Sequence, residues 1–548
     1  MHDGIKNISL PNWAIDETNM VGGLDLLGLR NVAQTISNHC LNGITTISPQ
    51  VRYLGIRSWF IQIYEKCGLA DSYSPFLDFT SKIESAVAIG TILYKPNIVG
   101  VVGGTLAKEI IDENNVQIKV KRLVRQLVLN MYTGPSIDLG ICFNRSSGIT
   151  GLTKERGLPL ASLLMEKVQN TDLVKRVFKE KEVDTFSKDE LKELGQILSL
   201  DEIPEDEREV LLDIIIPTEP RPSGWNNDIR RIATYTFLLQ LADDNQALPA
   251  IDDYFNAISK PSKYSDSHLR EILNGWHCYL IRDALAVAHE NALQFIVDEM
   301  NVNPQKTSIR DRIIKEVISD SSSIEKELKT MGLLASDESY EQLTILNIYN
   351  KIKDLIETDS ILDQGIYRWS NQNLIEPELI KRFQTNNLGA VGLIPVVWLI
   401  AYFRLKDGID EDITIIKLLS RGGWGRLGLK EVIFPTVEDW KNKNPLYSQV
   451  LGDLIGRTVD QHVRIAWSRV ATDINRDVSV LSVDGDKWKY KKDFFSGRTA
   501  SRLSEATGWL KQLKLLDGNG ITTDGKEVLE RGYNSLNKYY SDLMYESA

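Results

Sequence analysis

SDSHLREILNGWHCYLIRDALAVAHENALQFIVDEM, from Ser265 to Met300, decides the fold class of this chain. Its apolar residues Leu269, Leu273, Trp276, Leu280, Leu285, Val287, Leu293, Phe295 and Ile296 recur at steps of three and four. That is the period of a helix, not the alternation of a strand. At 1.5 Å per residue such a helix runs roughly 50 Å, long enough to serve as a pillar on which neighbours pack.

The same period dominates the rest of the chain. Ser48 with Pro49, and Ser74 with Pro75, pair a capping residue with a proline suited to a first helical turn, whose amide has no partner within the helix. They predict helices over Pro49–Glu65 and Pro75–Tyr94. Further helices are predicted over Leu158–Lys181, Ser187–Leu198, Asp228–Ala242, Glu338–Glu357 and Leu446–Asn475. Strands are few, so the expected class is mainly α.

At 548 residues the chain exceeds one core, and at about 150 residues per domain three or four domains are expected. Proline and glycine gather in IIIPTEPRPSGWNND, Ile214 to Asp228, which no regular helix can traverse, and in SRGGWGRLGLK, Ser420 to Lys430. The predicted division is an N-terminal helical domain (1–215), a central helical domain (225–420), a connecting helical region (421–477) and a C-terminal module (478–548).

Apolar residues are 42% and charged residues 25% of the chain, the balance of a globular protein. Net charge is -11, so phosphate contact requires a local basic patch. Cys40, Cys67, Cys142 and Cys278 form no CxxC pair and read as buried free thiols. The opening MHDGIKNISLPNW lacks a basic region followed by an apolar one, and the longest apolar run, Leu388 to Phe403, contains Pro395 and falls short of the ~20 residues a bilayer needs. A cytoplasmic protein with no membrane partner is expected, the apolar run being a buried helix.

Catalytic signatures are missing from the sequence. IVGVVGGTLAKE, Ile98 to Glu109, lacks the lysine that must follow the last glycine of a phosphate loop, and reads as a tight connection before a short helix. The histidines form no HExxH pair, and His277 and His289 project about 120° apart on one helix. Asp484 and Asp486, and the triplet Asp524, Gly525, Lys526, are weak counterparts of a nuclease centre: the first pair sits in a hairpin turn, the triplet at a helix start. No catalytic residue, cofactor or metal ligand is expected.

The C-terminal stretch reverses the acidic average. Lys487, Lys489, Lys491, Lys492, Arg498, Arg502, Lys511 and Lys514 are answered by only Asp493 and Glu505 between 487 and 514. Val478–Lys491 reads as a hairpin in which Trp488 and Tyr490 take one face and the lysines the other. Arg498–Leu513 reads as a helix with Leu503, Ala506, Leu510 and Leu513 inward and Arg498, Arg502 and Lys511 outward. Leu515–Thr523 reads as a ribbon before a last helix. This order defines a winged-helix-like α/β module, which either binds double-stranded DNA through those eight cations or docks a protein.

GGLDLLGLRNVAQTISNHCLNGITTISPQVRYLGIRSWF, Gly22 to Phe60, with Gly22, Leu24, Asp25, Gly28, the Gly43, Ile44, Thr45 turn and the Arg52, Tyr53 pair, resembles the opening of large proteins encoded in bacterial phage- and plasmid-defence operons of Lamassu or Wadjet type, with a Druantia-type component as an alternative. The resemblance implies an accessory subunit without its own active site, accompanying an SMC-like ATPase and a nuclease. The expected function is therefore a non-catalytic adaptor that helps engage DNA. The alternatives are a metal-dependent nuclease with an unfamiliar centre and a DNA-binding regulator. Arg52 and Arg57 are weaker candidates for nucleic-acid contact, or else salt-bridged structural residues.

Overall fold

A computed structural model describes residues 25–546 except 114–115, 125–126, 182–183, 222–224, 262–263, 265–266, 320, 364, 408–423 and 473–476. Gly22, Leu24 and part of the Ser420–Lys430 glycine run thus lie outside the described residues. The chain is mainly helical, with only short strands.

Two compact units divide it otherwise than the predicted domains: one takes 1–37, 252–265 and 273–500, the other 38–251, 266–272 and 501–548. The run at 214–228 falls within the second of these units, and its described residues gather around one carboxylate. Asp228 accepts from the Arg221 amide (3.0 Å), from the Arg221 guanidinium (2.9 Å) and from Arg231 (2.7 Å), while Arg231 also donates to the Ile215 carbonyl (2.8 Å). Burial alone would raise the pKa of Asp228, but these arginines and amides hold it down at about 2.

In the unit containing 38–251, helix Tyr73–Tyr94 lies against Lys188–Ile197, and Tyr53–Lys66 against Gly157–Val168. The first pair meets backbone to backbone. A Cβ on Gly90 would run into the Leu191 carbonyl, and one on Gly195 into the Gly90 backbone. Helix Trp225–Asn245 packs on Thr523–Glu546, where Thr236 faces Gly532 and Arg531 donates to the Ile216 carbonyl at 2.8 Å.

Local chemistry explains where helices start. Ser187 and Glu190 form a reciprocal cap, and Lys188–Ile197 follows. The predicted Leu158–Lys181 is two helices, Gly157–Val168 and Asp172–Glu180, because Thr171 caps the second by accepting from the Val174 amide. The first predicted helix starts at Tyr53 rather than Pro49, since the Ser48 hydroxyl turns back to the Thr45 amide (2.8 Å) and does not cap forward. Gly103, at φ 78°, turns the chain into helix Gly104–Asp112, the short helix expected there.

In the unit containing 273–500, helix Ser267–Val302 matches the predicted pillar, its residues from Leu273 onward belonging to this unit. The apolar run is two helices, Leu388–Val391 and Ile394–Leu405, with Pro395 in the first turn of the second. Leu388–Leu405 has the length and composition to cross a membrane, yet it is wholly buried in the protein, packed beside Tyr447–Thr472 and Ile345–Glu357. Next to it Arg404 clasps Glu376 with two bonds (2.9 and 3.0 Å) and lies over the Trp369 ring. Strands Leu481–Asp484 and Lys487–Tyr490 form the expected hairpin about Gly485, and Thr307–Ile309 adds a third strand on the far side of Lys487–Tyr490. All four cysteines are buried and unbridged.

Candidate functional site

The eight C-terminal cations do not belong to one compact body. Lys487, Lys489, Lys491, Lys492 and Arg498 fall in one unit, Arg502, Lys511 and Lys514 in the other, and the division lies between Ala500 and Ser501. The hairpin takes its neighbouring strand from Thr307–Ile309, so the 478–543 segment is not one self-contained winged-helix module. Its pieces are otherwise as read: Trp488 is buried while Lys487 and Lys489 face solvent, and Leu503, Ala506, Leu510 and Leu513 are inward.

The two arginines depart from the expectation because the helix begins at Leu503, leaving Arg498 and Arg502 on the connection before it. Arg498 pairs with Asp283 (3.3 Å) and Asp252 (3.7 Å) and stacks 4.3 Å from the Phe255 ring centroid. Arg502, at φ 67°, donates to the Ile44 carbonyl at 2.9 Å. Lys491 pairs with Asp477 at 2.7 Å, holding that carboxyl at about 2 against its burial, and Lys492 donates to the Asp477 carbonyl. Lys489 reaches Asp484 at 2.6 Å across exposed surface. Lys487, Lys511 and Lys514 are exposed.

Arg52 and Arg57 are fully buried. Arg52 grips Glu207 with two bonds (3.0 and 2.9 Å) and donates to the carbonyls of Ile197 (2.9 Å), Glu202 (2.8 Å) and Ser199. Arg57 donates to the Leu129 carbonyl, the Cys142 sulfur and the hydroxyls of Thr133 and Thr150. Both are struts, the structural alternative read from the sequence.

The nuclease candidates are engaged singly: Asp484 with Lys489, Asp524 with Arg208 (2.9 Å), and Lys526 with Asp243 (3.3 Å). Among the described residues no three His, Cys, Asp or Glu side chains converge as metal ligands would. His277, His289 and His462 are buried, and burial lowers each pKa to about 4, so all three are neutral at pH 7. The Val480 amide donates to His462 Nε2 at 3.1 Å, leaving Nδ1 to donate to the Leu26 carbonyl.

One concave site went unread in the sequence. A cleft of about 300 Å³ is lined by Leu27, Leu29 and Leu427, by His289 and Thr458, and by Arg457, Asp460, Gln461 and Arg464 of helix Tyr447–Thr472. Gln461 ties two walls together, donating to the carbonyls of Leu27 (2.7 Å) and Gly425 (3.0 Å). Buried Arg282 holds the turn behind them through the carbonyls of Leu427 (2.7 Å) and Arg426. The signal that could have found this site is the spacing of Arg457, Asp460, Gln461 and Arg464, which share one side of a helix.

No family model, curated protein or solved structure matches this chain.

Proposed function

We propose that this chain is a non-catalytic adaptor of a bacterial anti-phage or anti-plasmid complex, working in the cytoplasm, bridging an SMC-like ATPase or a nuclease and assisting double-stranded DNA engagement. The observation that carries the reading is the solvent face of strand Lys487–Tyr490. Trp488 anchors the strand from below, and Lys487 and Lys489 stand on the other side. The Lys489–Asp484 pair is exposed and therefore weak, so a phosphate can displace it. Lys511 and Lys514 are the other candidate contacts. Arg498 drops out of the DNA surface, its charge being spent on Asp283 and Asp252. The likeness of Gly22–Phe60 to defence-operon proteins supports the partner class.

Purification with the products of neighbouring genes, followed by a salt titration of duplex binding, tests this. Stable co-purification is expected, and each of Lys487→Gln, Lys489→Gln, Lys511→Gln and Lys514→Gln should lower the salt slope by about one. A solitary protein that binds neither partner nor duplex overturns the proposal. So does plasmid cleavage with magnesium or manganese that a single carboxylate substitution abolishes, since that is the behaviour of a nuclease.

A further inference from the structure

Residues Asp493–Thr499, between strand Lys487–Tyr490 and helix Leu503–Gln512, are strapped to one side of helix Ser267–Val302 by its side chains. Asn301 donates to the Asp493 carboxylate (3.1 Å), and the Gln294 amide oxygen accepts from the Ser496 amide (2.8 Å) and hydroxyl (2.9 Å). Glu290 accepts from the Gly497 amide (3.5 Å), Asp283 accepts from the Thr499 amide (2.7 Å), and the Tyr279 hydroxyl donates to the Thr499 carbonyl. Tyr279, Asp283, Glu290, Gln294 and Asn301 follow at steps of four and seven, which keeps all five on one side of the helix. Strap and anchors belong to the same compact unit.

Two of the anchors are carboxylates whose side chains have no exposed surface. Glu290 is clasped by Arg30 (2.6 Å), with Asp25 near both, and Gly497 passes beside the Arg30 guanidinium. Asp283 meets Arg498 (3.3 Å), which is shared with Asp252 (3.7 Å), and Lys381 pairs with Asp252 at 3.3 Å. One guanidinium each replaces only part of the hydration that an ionised carboxylate has in water, so the ionised forms favour an open, wetted strap. Burial accordingly raises the pKa of Asp283, and it raises Glu290 to about 7 although Arg30 pulls that group down. The seated strap therefore binds more protons than the released one. The contribution of Glu290 to seating is fully present below pH 4.5 and is lost as pH rises through 7.

We propose that Asp493–Thr499 is a proton-operated strap, seated on helix Ser267–Val302 in mildly acidic solution and released in mildly alkaline solution, where Glu290 and Asp283 are both ionised. Release uncovers the buried Phe494 together with the polar side of the helix. This proposal does not depend on the adaptor reading or on the duplex-binding lysines.

Hydrogen exchange of the full chain, followed by mass spectrometry at pH 6, 7 and 8 with exchange times scaled to the intrinsic amide rate, tests this. Protection of a peptide spanning Ser496, Gly497 and Thr499 should fall about tenfold from pH 6 to pH 8, the step produced by one carboxyl moved from 4.5 to about 7, while that of helix Ile394–Leu405 holds. Glu290→Gln, a neutral stand-in for the protonated acid, should flatten the step. Gln294→Ala removes the Ser496 anchor without touching a titrating group, so it should lower protection equally at every pH. Protection in the parent that stays level or rises with pH overturns the proposal, and so does a tenfold fall that persists in Glu290→Gln. Should Glu290→Gln not fold, Asp283→Asn takes its place, with a shallower step expected and an unchanged one overturning the strap.

Discussion

Trp398 donates its indole N–H to His289 Nε2 at 3.0 Å. An indole nitrogen only donates, so Nε2 carries no proton and Nδ1–H must donate to the Thr458 hydroxyl at 2.7 Å, which passes its own proton to the Leu454 carbonyl at 2.8 Å. A buried imidazole with both nitrogens engaged in this way has no room for a second proton.

Acid should therefore weaken the fold through its histidines. His277, His289 and His462 protonate near pH 4 when folded but near 6.5 when unfolded, so between those values the unfolded chain binds more protons and stability falls as pH drops. Each group contributes at most about 3 kcal/mol across that window. Glu84 works in the opposite sense, because burial pushes it up to about 7 and its contribution is lost as pH rises from 4.5. Comparing urea midpoints of the parent and His289→Gln at pH 7, 6 and 5 isolates one imidazole: the parent should lose more stability toward pH 5 than the variant.

The glycine crossing gives a test with a built-in control. Gly90→Ala and Gly195→Ala should each destabilise by several kcal/mol or prevent folding, since backbone blocks the new methyl on both sides. Gly508→Ala, in helix Leu503–Gln512 with nothing within 4 Å of the added carbon, should stabilise by about 0.5–1 kcal/mol. Thermal melts of the three variants read both signs.

For the Arg52–Glu207 pair, Glu207→Ala should cost about 3–5 kcal/mol by leaving a guanidinium buried without its counter-ion. Arg52→Lys should also be destabilising, because one ammonium cannot reproduce the two-pronged carboxylate contact and serve three carbonyls besides. Urea midpoints at pH 7 measure both.

Arg498→Ala separates the structural role of that residue from a DNA role. It strands the buried Asp283 and should destabilise on the order of 3 kcal/mol, while the salt slope of duplex binding stays unchanged. A slope lowered by one unit would return Arg498 to the DNA surface.

What the sequence made legible was local. The helix from Ser187, the Leu503, Ala506, Leu510, Leu513 stripe and the alternation about Trp488 depend on residues a few positions apart, and periodicity displays them directly. The fate of the arginines was hidden for the opposite reason. Arg52 finds Glu207 and Arg498 finds Asp283 across long stretches of chain, and nothing in the local pattern of either segment names its partner. The cleft was missed because its three leucines come from two separate segments, and only the Arg457, Asp460, Gln461, Arg464 spacing is visible in one line of text.

The pairing of helix Trp225–Asn245 with Thr523–Glu546 also sets a schedule for synthesis. The earlier helix leaves the ribosome with its docking partner still untranslated, and at roughly 5–20 residues per second the wait is on the order of tens of seconds. During that interval the stripe around Thr236 is open to chaperones and to neighbouring nascent chains. A premature stop codon upstream of Thr523 would leave it open for good.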